Sequence, residues 1–209
     1  MFIGRNEELS KIQDCLKDYS KAQLLVLYGR RRVGKSRLIQ EALREEKHVL
    51  SFEGLEGEPT RVQIDQFLSD LATQTGRIKL AARNWREALQ GVTELVQRGR
   101  WVLVLDELPW LAAGKSALIS DLKLFWDRWA AQNPQIVMIL CGSVANFMVK
   151  HIVHSRALHN RKTLELRVGQ LDPADSGLFI RQRSLEEKAS LYMYLGGVPK
   201  YLEQINPKI

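Results

Sequence analysis

The segment "GRRRVGKS", Gly29 to Ser36, has the residue types and spacing of a loop that wraps a polyphosphate, G-x-x-x-x-G-K-S/T. Gly29 and Gly34 let the backbone approach an anion and turn sharply. The turn, with Arg32 and Val33 in it, aims N–H groups at phosphate oxygens, as does the start of the helix that carries Arg37. Lys35 has the reach for a β- or γ-phosphate, and Ser36 supplies a hydroxyl suited to Mg²⁺.

A second group stands in "VLVLDE". An acid after four apolar residues implies that the strand ends there, at the sheet edge where ligands bind. Asp106 then suits the shell of a divalent cation, and Glu107 suits a general base for an attacking water. Alone, the pair reads equally as two acids capping a strand before Leu108-Pro109. A third candidate is Ser143 in "ILCGS", placed either to sense a γ-phosphate or simply to form a Gly-Ser turn.

The three arginines within the loop raise their own question, because such loops ordinarily draw charge from one lysine and the backbone. The chain of 209 residues carries a net charge of +7. Its densest basic run is the loop itself, where Arg30, Arg31, Arg32, Lys35 and Arg37 meet no acid, and lesser concentrations lie in 77–100 and 150–167. Outward side chains are the rule in such loops. The expectation is therefore that one arginine approaches a γ-phosphate or an acid on a neighbouring lid, while the others face a protein partner or an adjoining copy. Nucleic acid is the alternative, since arginine clusters bind phosphate backbones.

Placing these groups requires alternating strands and helices. Asn6 suits an N-cap, with Glu7 and Glu8 in the first turn and Leu9, Ile12, Leu16 and Tyr19 at helical spacing. Continuous apolar runs at 22–28, 48–52, 101–107 and 135–140 read as buried parallel strands, and 163–168 as an alternating fifth. Helices are expected over 35–45, 61–73, 84–98 and 118–129, and everything beyond "LDPADS" reads as helical. The implied fold is a three-layer α/β sandwich with a parallel sheet, followed by a small helical piece beginning near Gly169–Pro173.

Other chemistry is set aside. Cys15 and Cys141 are far apart and suggest neither a disulfide nor a zinc site. His151, His154 and His159 match no common zinc spacing and read as a solvated basic segment. Trp85, Trp126 and Trp129 fall on apolar stripes; Trp85 reads as core, and Trp126 and Trp129 as packing or a lid contact. No apolar run spans a bilayer and no signal peptide is evident, so a cytoplasmic protein without a membrane role is expected.

Together these residues resemble the archaeal-type ATPase family, a STAND branch related to AAA+ ATPases. "FIGRNEEL" (2–9) resembles its opening hhGRxxEL, "YGRRRVGKSRLI" its phosphate loop, "LDELPWL" its acidic strand end, and "GGVPKYL" (196–202) the turn of its lid. The resemblance implies a P-loop NTPase sheet of order 5-1-4-3-2, ATP or ADP with Mg²⁺, slow ATP hydrolysis, and a switch role with a protein partner or self-association. It implies that Gly4, Arg5 and Pro199 lie on the adenosine side, and that Arg161 acts as a charge-stabilising finger in cis or from a neighbour. It divides the chain into a nucleotide-binding domain, 1–169, and a lid, 170–209, with the further C-terminal domains of relatives expected to be absent. Two other readings remain: a nucleotide-gated DNA-binding module like initiator or helicase-loader ATPases, and a small-molecule kinase, which would need an acceptor pocket and gives no reason for the Asp106-Glu107 pair followed by Ser143.

Overall fold

The structure, a computed structural model, describes residues 2–96, 99–114, 116–155, 158 and 160–205. Five strands form one parallel sheet: β1 (Gln23–Tyr28), β2 (Val49–Glu53), β3 (Trp101–Asp106), β4 (Ile136–Gly142) and β5 (Leu164–Arg167). Their order is β2-β3-β4-β1-β5, the 5-1-4-3-2 arrangement read from the other edge. The central strands β1, β3 and β4 are almost continuously apolar because both of their faces are covered, whereas the edge strands β2 and β5 alternate. Successive side chains alternate faces. Leu24 and Val26 of β1 therefore pack with Leu103, Leu105, Met138 and Leu140 on one side. Leu25 and Leu27 pack with Val102, Val104, Val137 and Ile139 on the other.

Helices α1 (Asn6–Lys17) and α2 (Lys35–Ala42) cover the second face through Ile12, Leu16, Leu38 and Ile39. Helices α3 (Thr60–Thr75), α4 (Trp85–Leu95) and α6 (Leu118–Arg128) cover the first, with the short α5 (Leu108–Leu111) following β3. Trp85 stands edge-on to Phe67 at 5.5 Å within this layer, and Trp126 is buried there, while Trp129 packs on Phe125. After β4 come α7 (Ala145–Met148) and a π turn, Val149–Val153. Beyond β5, α8 (Pro173–Gly177), α9 (Leu185–Leu195) and α10 (Pro199–Ile205) gather around a small core of Ile3, Leu171, Phe179, Ile180 and Leu202.

Several boundaries differ from the sequence expectation. Asn6 is the first helical residue of α1, not its cap; Arg5 holds the cap position in a left-handed conformation, φ 60°. The Arg5 N–H donates to Asp175 Oδ2 at 3.1 Å, so a residue of α8, in the segment expected to form the lid, holds the start of the helix. Helix α2 stops at Ala42 because its continuation tightens into i→i+3 bonds, Arg44 N–H to Glu41 O and Glu46 N–H to Leu43 O. Helix α4 opens as expected at Asn84, whose side chain accepts from Glu87 N–H, but ends at Leu95. No helix among the described residues is long and apolar enough to cross a membrane.

Candidate functional site

Strands β1, β3 and β4 end side by side, and everything that follows their carboxyl ends converges. After β1 the chain makes the turn Gly29–Gly34 and enters α2 at Lys35. Two residues of the turn lie in the left-handed region, Arg32 at φ 68° and Gly34 at φ 92°. Glycine adopts that conformation freely; for Arg32 it costs about 1–2 kcal/mol, which the surrounding loop must supply. Lys35 is buried, its Nζ donating to the carbonyls of Gly29 (3.1 Å) and Arg30 (3.0 Å). The amine thus arches back over the loop whose N–H groups it would assist.

Ser36 Oγ donates to Asp106 Oδ2 at 2.6 Å, joining the start of α2 to the end of β3. The other oxygen of Asp106 accepts the Glu107 N–H at 2.8 Å. Glu107 leaves the strand in a left-handed conformation, φ 46°, which turns its carboxylate toward β4. There one oxygen, Oε2, accepts both the Ser143 hydroxyl (2.7 Å) and the Ser143 N–H (3.2 Å). The three elements singled out by sequence are therefore one hydrogen-bonded chain, from Ser36 to Asp106 and from Glu107 to Ser143.

Glu53, which the sequence reading did not single out, and Cys141 adjoin this group. Glu53 ends β2 in register with Asp106, and burial, then the Asp106 and Glu107 charges, raise its carboxyl above the usual carboxylate value. The signal was present: "HVLSFE" ends its apolar run in an acid, as "WVLVLD" does. Cys141, fully buried near the end of β4, has its thiol pushed well above its ordinary value, first by burial and then by the charge and hydrogen bond of Asp106.

The Ser36 hydroxyl and the Asp106 carboxylate are hard oxygen donors 2.6 Å apart beside a phosphate-type loop. They fit Mg²⁺, which is held by one or two carboxylates, waters and substrate phosphates rather than by an all-protein cage. No group of three or more His, Cys, Asp or Glu that could hold a metal ion occurs among the described residues. Of the histidines considered above, His151 stacks near Phe147, and His159 lies outside the described residues.

A cleft of about 590 Å³ opens between this edge and the lid, a size that suits a small ligand. Its floor is Gly34, Lys35, Ser36 and Arg37; Glu107 and Trp110 line one side, and Phe179, Pro199 and Lys200 line the lid side. Phe2 and Ile3 also line it, which the sequence reading did not anticipate. Pro199 stands over Gly34: a Cβ there would lie 3.6 Å from the proline ring.

Gly4 and Arg5, expected on the adenosine side, make these contacts within the protein. Gly4 must be glycine because the Asp175 carboxylate occupies the space a Cβ would need. The buried Arg5 guanidinium, which borders the cleft, donates to Val33 O (2.7 Å), Gly169 O (2.7 Å) and Glu8 Oε1 (3.0 Å). It ties α1, the phosphate loop and the approach to the lid together. Val33 itself turns its side chain into the core beside α2.

The arginine question has a divided answer. Arg32 reaches the lid, its guanidinium 5.7 Å from the Tyr201 ring and NH1 donating to the Tyr201 hydroxyl at 3.4 Å. Its partner there is an aromatic, where a γ-phosphate or an acid had been the two alternatives for one of the arginines. Arg31 reaches the other way, pairing with Glu56 at 2.9 Å and lying over Trp110 at 4.8 Å. Arg30 is exposed.

Arg161 is not brought to the cleft. It lies just before β5, at the end of the sheet where Thr163 N–H donates to Leu24 O, whereas the phosphate loop follows the opposite end of β1. There it holds Asp127 with two bonds, 2.6 and 3.0 Å. A finger acting in cis is therefore incompatible with this placement.

A central strand leading into this loop, with paired acids two strands away, defines a P-loop nucleotide-binding fold. The chain belongs to a family of ATPase domains found predominantly in Archaea, whose sequence profile matches residues 2–205. An uncharacterised protein of Methanocaldococcus jannaschii is 24% identical over 205 residues, 98% of this chain; the chain spans 44% of that relative's length. An uncharacterised ATP-binding protein of the same organism is 47% identical over 47 residues, 22% of this chain and 78% of that protein. Among solved structures, a Walker-type ATPase of Pyrococcus abyssi superposes with a TM-score of 0.69 at 21% identity, over 99% of this chain and 69% of that one. A STAND protein of Pyrococcus horikoshii with a tetratricopeptide repeat sensor does so with a TM-score of 0.56 at 18% identity, over 97% of this chain and 29% of that one. These two likenesses concern the fold.

Proposed function

We propose that the chain is a Mg²⁺-dependent ATPase that works as a nucleotide-driven switch. The observation that carries the reading is the bonded sequence Ser36–Asp106 and Glu107–Ser143 at the mouth of a cleft closed by the lid.

In this reading the loop N–H groups and Lys35 bind the phosphates, with Gly29, Arg32, Gly34 and Arg37 shaping that cradle. Ser36 and Asp106 would hold Mg²⁺, which would supply positive charge against the phosphates when bound. Glu107 polarises the attacking water and takes its proton as the new P–O bond forms and the β–γ bridge breaks. Ser143 holds Glu107 by two hydrogen bonds and so couples the base to the end of β4. The lid senses occupancy because Tyr201 already touches the phosphate loop through Arg32, while Pro199 faces Gly34 across the cleft. Adenine would lie on the side of Phe2, Ile3, Phe179 and Pro199. Arg161, at the far end of the sheet, can act on nucleotide only in trans, on the cleft of a neighbouring copy.

The test is ATP binding and turnover per site across a wide range of protein concentration, with and without Mg²⁺, using Lys35→Ala as the blank. Binding above the blank and Mg²⁺-dependent release of phosphate are expected. Activity that climbs with concentration assigns completion of the site to a neighbour. Binding no tighter than the blank overturns the reading.

A further inference from the structure

Arg31 and Arg32 are adjacent in the phosphate loop yet attach to opposite sides of the cleft. Arg32 faces the lid through Tyr201. Arg31 faces the β3 side: its guanidinium lies over Trp110, and the Trp110 N–H donates to Glu107 O at 2.8 Å. Arg31, Trp110, Glu107 and Ser36 all line the same cleft. Arg31 is thus fastened to the turn that begins with the glutamate suited to activate water.

We propose that Arg31 is the group that distinguishes ATP from ADP in this cleft, by contacting the γ-phosphate from within the protein's own phosphate loop. The proposal rests on the nucleotide reading above and deepens it. A water activated by Glu107 must attack the terminal phosphorus, so the γ-phosphate belongs on the Glu107 side of the cleft. ADP presents nothing there. A guanidinium on that side meets charge only when the third phosphate is present, and its planar fork matches phosphate oxygens.

The present partners of Arg31 are suited to release. Its ion pair with Glu56 joins side chains that are 53% and 65% exposed, and exposed pairs of this kind contribute little. Glu56 lies in the loop after β2, and that loop is packed against the same turn: a Cβ on Gly54 would come within 2.6 Å of Glu107 O and 3.0 Å of Trp110 Cβ. Exchange of Glu56 for a γ-phosphate would release this one ion pair in the ATP state alone. Arg31 would also supply, in cis, the charge stabilisation that Arg161 is too far away to give.

The experiment is equilibrium binding of ADP and of imido-linked ATP, each with Mg²⁺, to the unaltered chain and to Arg31→Ala, Arg32→Ala and Lys35→Ala. Arg31→Ala is expected to weaken the ATP analogue by roughly ten- to a hundredfold, the range of a charge-assisted hydrogen bond, while ADP affinity stays within about twofold. Retained ADP binding shows at the same time that the variant is folded. Arg32→Ala is expected to weaken both ligands alike, through the lid. Parallel loss of both ligands in Arg31→Ala, or loss of neither, overturns the proposal. Lys35→Ala binding both ligands as tightly as the unaltered chain would instead overturn the nucleotide reading itself.

Discussion

Ser143 gives both its hydroxyl and its backbone N–H to a single oxygen of Glu107, at 2.7 and 3.2 Å, so the residue after β4 sets the direction of the carboxylate that follows β3. A base held in this way is positioned before substrate arrives. Its freedom to meet water depends on what happens at the end of β4.

That arrangement separates two variants. Glu107→Gln removes the proton acceptor, and turnover should fall by about 10²–10⁴ while ATP remains bound. Ser143→Ala removes one donor and keeps the carboxylate, so turnover should fall by about tenfold with nucleotide affinity little changed. Single-turnover rates beside equilibrium binding decide it; an unaltered rate in Ser143→Ala would reduce that residue to a turn former.

The 2.6 Å bond between Ser36 and Asp106 joins two oxygen donors that a Mg²⁺ ion would share. Asp106→Asn should raise the Mg²⁺ concentration needed for tight ATP binding by about 10–100-fold. ADP binding in the absence of Mg²⁺ should change far less. A Mg²⁺ titration of nucleotide affinity reads both.

Arg5 is a structural residue by its contacts, since it is 5% exposed and spends its guanidinium on Val33 O, Gly169 O and Glu8. Arg5→Met leaves two carbonyls without that partner and should cost about 2–3 kcal/mol in denaturant unfolding. Arg5→Lys should recover only part of this, because one ammonium cannot span the same three acceptors as a planar fork.

The Asp127–Arg161 pair makes a pH-dependent contribution with a defined sign. The Arg161 hydrogen bonds hold the Asp127 carboxyl below its ordinary value of 3.8, against the opposing effect of burial. A carboxyl lowered in the folded state adds stability that is present above its unfolded value and is lost as pH falls through the folded one. Asp127→Asn should therefore cost about 1 kcal/mol or less at neutral pH, both side chains being roughly a third exposed. The difference from the unaltered chain should close below pH 3.8. Unfolding curves at neutral and acid pH check the direction.

Local order decided what could be read from the sequence alone. A strand buried on both faces must be apolar at every position, so "QLLVLY", "WVLVLD" and "IVMILCG" were visible as strands, and an acid or glycine at their ends marked the sheet edge. The phosphate loop was visible because its backbone demands glycine at set intervals and its chemistry demands lysine and serine directly after. These constraints act within a few residues, where spacing records them.

Tertiary structure decided the rest. Arg5 reads as a ligand-side residue in a motif; what spacing cannot show is that its backbone partner Asp175 is 170 residues away and bears on both the start of α1 and the glycine at position 4. Three consecutive arginines are indistinguishable by type. Only folding places Trp110 beside one and Tyr201 beside the next, which gives them opposite sides of one cleft. Arg161 matched a family position, yet the parallel sheet carries it to the edge away from the loop, because a residue before a strand and a residue after its neighbour lie at opposite ends. Residue type and spacing thus determined which chemistry this chain carries. The order and direction of the strands determined which of its charges can act together, because distance through the sheet is set by pairing and not by sequence.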